Sequence, residues 1–143
     1  MKPLNTQFVI ADGARARWVK RSDHADDFVT IKELSASSEP VRHPQGVAFA
    51  THSSQRFNTE EKADAVRLHK LRFAEEVADA INAEAVAGKL ERLAVVAPAR
   101  MLGAIRQRLC PEANARLAQT LSKDLTKTPD HELGGWLRRL ERA

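Results

Sequence analysis

Cysteine is nearly missing from this chain: Cys110 is the only one in 143 residues. That excludes an intrachain disulfide and a zinc site built on several thiolates. Long apolar runs are missing too. After Lys2 the first apolar stretch is Phe8 to Ala11, too short for the core of a secretory leader. Nothing approaches the roughly 20 residues of a membrane helix. A cytoplasmic location with no membrane partner is the expectation. The five histidines never adopt H-E-x-x-H spacing. There is no Gly-rich phosphate loop and no G-x-S-x-G nucleophile turn. No metal, no cofactor and no catalytic residue is therefore assigned. No internal repeat is visible.

What is present is globular. Apolar residues make up 43% and charged residues 29%, and the length fits one domain over residues 1–143. The net charge is +4. Six basic groups (Arg100, Arg106, Arg108, Arg116, Lys123, Lys127) fall between residues 100 and 127, against the acids Glu112 and Asp124. A local positive field of this kind attracts phosphates. A solvated, solubilising face accounts for it equally well.

The hydrophobic pattern predicts the elements. Gln7–Asp12 is a strand around Phe8-Val9-Ile10. Asp12-Gly13 then signals a two-residue hairpin with φ > 0. In Ala14–Lys20, Ala14, Ala16 and Trp18 alternate with Arg15 and Arg17. A third strand follows, with Phe28, Thr30, Lys32 and Leu34 on one side. Residues 35–57 read as a long loop. Asn58, with Glu61 as capping partner, opens a long helix whose stripe is Val66, Phe73, Val77, Ile81 and Ala85, closed by Gly88. Leu93–Ala97 is a continuous apolar run, the expected central strand. Pro98 starts a helix with Leu102, Ile105 and Leu109 buried, and Pro111 ends it. Arg116–Leu121 is a weaker strand. Thr128 and Pro129 open a last helix with Leu133, Trp136, Leu137 and Leu140 inward. The order β-β-β-α-β-α-β-α predicts an α/β fold: a mixed five-stranded sheet of ribonuclease H-like plan.

Three groupings could carry chemistry. They are Asp12-Gly13-Ala14-Arg15-Ala16-Arg17, Ala97-Pro98-Ala99-Arg100, and Lys123-Asp124-Leu125-Thr126. Ligands of open sheets gather beyond the carboxyl ends of parallel strands, where the second and third groupings belong. The candidate binding residues are Asp12, Arg15, Arg17, Arg100, Arg106, Arg108, Lys123, Asp124 and Thr126. Turn and cap chemistry explains several of the same residues.

In this order, with Met101-Leu102-Gly103 after the second grouping and Pro129 and Glu132-Leu133 after the third, these motifs resemble the bacterial host-attachment protein family. The likeness spans nearly the whole chain. That family is in turn similar to the middle domain of archaeal and eukaryotic class-one peptide release factors, which carries a Gly-Gly-Gln loop before a long helix. The counterparts here are Gln45 and Gly46, or Ser53-Ser54-Gln55. The paired glycines are absent, so peptidyl-tRNA hydrolysis is not expected. The resemblance implies a ribosome- or RNA-directed ancestry, and with the 100–127 basic window it leads to the expectation of a non-catalytic binding domain for structured RNA or a ribosomal partner. Two alternatives stay open: a metal-dependent nuclease using Asp12 and Asp124, and a protein-interaction module. The oligomeric state is not specified.

Overall fold

A computed structural model describes residues 5–22, 27–36 and 58–142. Nine elements follow in chain order: β1 (Thr6–Ala11), β2 (Arg15–Arg21), β3 (Phe28–Ser35), α1 (Asn58–Val86), β4 (Arg92–Ala97), α2 (Ala99–Arg108), α3 (Pro111–Arg116), β5 (Leu117–Ser122) and α4 (Asp130–Arg142). The five strands form one mixed sheet in the order β3-β2-β1-β4-β5. β1, β2 and β3 pair antiparallel, whereas β1–β4 and β4–β5 are parallel. This is the expected α/β architecture on a ribonuclease H-like plan. β4 is interior as its apolar run requires, but the middle strand is β1. One element was not anticipated. Pro111 ends α2 and, being tolerated at a first helical position, also starts the short helix α3.

The sheet is buried on both faces. Val9, Ala11, Ala16, Trp18, Leu93, Val95 and Ala97 point into one apolar cluster, covered by α1, α2 and α3. Phe8, Ile10, Val19, Phe28, Ala94 and Val96 point the other way, onto Leu125 and α4's Leu133, Leu137 and Leu140. The period-2 alternation of β1 and β4 thus feeds two clusters, which explains why both read as unbroken apolar runs.

Three expectations are corrected by local geometry. The β1–β2 turn contains no left-handed residue; among the described residues only Gly88 has a positive φ, at 75°. The turn is instead held by the Asp12 carboxylate, whose Oδ1 accepts the N–H groups of Ala14 and Arg15, each at 2.7 Å. Second, β3 does not keep one face. Trp18 pairs with Lys32 but Val19 with Thr30, so Ile31 is an extra residue, a β-bulge. Phe28 and Thr30 face α4; Lys32 lies over the Trp18 ring at 4.8 Å and Leu34 packs on the opposite cluster. Third, Val66 is not in the buried stripe: it is 51% exposed, while Phe73, Val77 and Ile81 are buried as expected. At 1.5 Å per residue a helix of this length outruns strands of six residues at about 3.3 Å each. Its first half passes beyond the sheet. Its far end closes where Gly88 allows it, with Lys89 N–H donating to the Glu84 carbonyl and Gly88 N–H to that of Ala85.

Candidate functional site

The three groupings converge. β1, β4 and β5 run parallel, so Asp12, Pro98 and Asp124 leave the sheet at the same end. The overhanging half of α1 passes over that end. Between them lies a cleft of about 510 Å³, lined by Asp12, Gly13, Ala14 and Asp124 from the strand ends and by Val66, His69 and Lys70 from α1. A second cleft, of about 450 Å³, adjoins it. Arg67, Lys70 and Leu71 of α1 face Ala99, Arg100, Met101 and Ala104 of α2 across it. Gly13, Lys70 and Pro98 line both.

Lys70 forms the partition. A Cβ at position 13 would lie 2.7 Å from the Lys70 Cγ and 2.9 Å from its Cδ. Gly13 is required for this close approach of the lysine stem, not for turn torsion.

Asp12 and Asp124 meet at one hydroxyl. Thr126 Oγ1 lies 2.9 Å from Asp12 Oδ2 and 2.6 Å from Asp124 Oδ1. Those two distances cap the separation of the carboxylate oxygens at about 5.5 Å. The hydroxyl has one proton and donates to one acceptor at a time. Thr126 N–H also donates to Asp124 Oδ1, at 3.0 Å. Burial pushes the Asp12 carboxyl upward. The N–H groups of Ala14 and Arg15, the Thr126 hydroxyl and the Arg15 charge together outweigh it, and its pKa lies below the ordinary 3.8. Asp12 is therefore an ionised turn-former. Among the described residues no group of three His, Cys, Asp or Glu side chains could hold a metal ion.

The basic candidates separate. Arg15 is exposed and, with Arg17, Glu33, Ser35 and Thr126, lines a small polar hollow of about 190 Å³. Arg17 is inward, its side chain 12% exposed. It donates to the carbonyls of Leu125 (2.8 Å) and Thr128 and to Asp130 Oδ1 (3.4 Å). It ties β2 to the segment entering α4. Arg108 is matched as well, to Asp79 at 2.8 Å and Glu75 at 3.1 Å on α1. Lys123 sits 3.8 Å over the Trp136 ring, on the α4 side of the sheet. Arg106 is exposed near the end of α2 and away from the clefts' lining. Of the window, Arg100 lines the second cleft. The positive run in sequence is thus spread over both faces of the sheet. Gln45, Gly46 and Gln55 lie outside the described residues.

Arg67, His69, Lys70 and Leu71 were missed by sequence reasoning. They lie off the helix's buried stripe, where a solvated face is the default reading. Only the length mismatch between α1 and the strands hinted that this half had other neighbours.

Fold and site together define an α/β protein of ribonuclease H-like plan whose cleft opens at the carboxyl ends of its parallel strands. The chain belongs to the family described as "protein required for attachment to host cells", whose pattern matches residues 7–137. That span takes in all three groupings and every residue lining the clefts. Among curated proteins, none matches the chain. No helix among the described residues is long and apolar enough to cross a membrane.

Proposed function

We propose that this host-attachment-family chain is a non-catalytic binding domain for structured RNA or a ribosomal partner, and that the ligand's phosphates lie along the Lys70 and Arg100 side of the double cleft. One observation carries the reading. Lys70 and Arg100 reach the clefts without an ion-pair partner among the described residues, whereas Arg17 and Arg108 are already matched. Unmatched cations beside a cleft are free to neutralise phosphate. The resemblance read from the sequence motifs implies the same class of partner.

The test is an anisotropy titration of a labelled RNA hairpin at several salt concentrations. Affinity should fall with salt, with a log–log slope of roughly 0.7–0.9 per phosphate neutralised. Lys70→Ala and Arg100→Ala should each lower that slope by about one such increment. Arg139→Ala, on the exposed side of α4, should leave it unchanged. No binding at low salt sinks the reading.

A second reading, metal-dependent phosphoryl cleavage, draws on the approach of Asp12 and Asp124 through Thr126. Its donor set is poor. Asp12 Oδ1 already accepts two backbone N–H groups, and a Mg²⁺ site favours six oxygen ligands. RNA cleavage in Mg²⁺ that disappears in both Asp12→Asn and Asp124→Asn would reverse the ranking.

A further inference from the structure

We propose that the second cleft seats one unpaired nucleotide, its base on the apolar floor and its phosphates on Arg67, Lys70 and Arg100. This rests on the RNA-binding reading and names the part of the RNA that the cleft takes.

The two clefts differ in charge. The first holds both acids, Asp12 and Asp124. Among the described residues, the second is lined by three basic side chains and no acidic one. Arg67 has a partner in Asp64 at 3.4 Å, but both are well exposed, and such a pair is readily exchanged for another anion. Lys70 stands on the boundary. A phosphate is therefore drawn to the second cleft and repelled from the floor of the first.

The second cleft is also apolar at its base. Leu71, Met101 and Ala104, with Pro98 and Ala99, supply that surface. Leu71 is 49% exposed. A single exposed leucine means little, but here it lines a concavity together with Met101. At about 450 Å³ the space falls within the usual range for small-ligand sites. A nucleotide asks for both halves at once: an apolar surface for the base and cations for the phosphates.

Pairing decides which nucleotide can enter. Bases inside an RNA helix are stacked and their edges are occupied, so only a looped-out or terminal base can reach a cleft. Among the described residues the floor is aliphatic and offers no side-chain amide or hydroxyl to read base edges. Discrimination among the four bases should therefore be slight.

The experiment uses the whole chain and two labelled RNAs: a blunt hairpin closed by a non-nucleotide linker, so that no base is unpaired, and the same hairpin with a four-nucleotide single-stranded tail. The tail should tighten binding on the order of tenfold, as expected for burying one base against apolar surface. Leu71→Ser removes floor and Ala99→Leu fills the space. Both positions are exposed, so folding should survive, as a melting curve verifies. In each variant the ratio of the two affinities should fall toward one; in Arg139→Ala it should not. Equal affinity of the wild type for the two RNAs overturns the nucleotide assignment and leaves the RNA reading intact. A tail effect that survives both variants does the same. Failure to bind either RNA overturns both. A Glu- and Leu-rich peptide that displaces the tailed hairpin more effectively than adenosine monophosphate does would reassign the cleft to a protein ligand.

Discussion

Arg17 and Arg108 show why a residue's type does not reveal its use. Alternation along β2 places Arg17 beside Arg15 as one of two basic side chains on a single face. Its acceptors, the Leu125 and Thr128 carbonyls and Asp130, lie more than a hundred residues away, and no local pattern encodes them. Arg17→Ala leaves three part-buried acceptors without their donor and should cost about 1–3 kcal/mol in a urea unfolding titration. Arg17→Lys should recover little, since one ammonium cannot span three acceptors as a planar guanidinium does. Asp12 behaves differently, because its role as a turn-former was legible from Asp-Gly even though the torsions were not. Its carboxyl pKa is lowered on folding, so its contribution is fully present above the unfolded value near 3.8 and is lost as pH falls through the folded value. The stability gap between wild type and Asp12→Ala should be constant at neutral pH and close as the pH drops below about 4. Denaturant midpoints across that range measure it.

Helix α1 divides into a packed half and an overhanging half. Phe73, Ala74, Val77, Ala78 and Ile81 are buried; Val66, Leu68 and Leu71 are exposed. A 3.6-residue stripe runs through both halves, which is why periodicity alone extended the buried face back to Val66. The period reports which way a side chain points and says nothing of whether a partner is there. Val77→Ala should therefore cost about 1–3 kcal/mol, while Val66→Ala should stay within about 0.5 kcal/mol. Both are read from chemical denaturation under one set of conditions. The same division makes the site: the part of α1 with no sheet beneath it is the part that supplies Val66, His69 and Lys70 to the first cleft.

For the whole molecule, strand and helix types were legible because the apolar period switches cleanly from two to 3.6. The placement of β1 at the middle was not, since β1 and β4 carry the same unbroken apolar signal. The convergence of Asp12, Pro98 and Asp124 was legible from strand order. The contribution of α1 to the clefts was not, because it depends on how far a helix projects past its sheet. The bulge at Ile31 belongs to this scale as well, for it lets one short strand serve both sides of the molecule. Thr30 holds Asp130 at the head of α4, by its hydroxyl at 2.7 Å and its N–H at 3.1 Å, while Lys32 reaches the Trp18 ring and Glu84 on the α1 side. In effect β3 is read in two frames, and Ile31 is the inserted letter between them. Deleting that letter would make Val19–Thr30 and Trp18–Lys32 successive pairs of a regular ladder and leave Lys32 and Leu34 on the side they occupy now. Such a deletion should therefore keep the fold, as should Ile31→Thr, with a far-UV circular dichroism spectrum and a melting curve close to wild type in both.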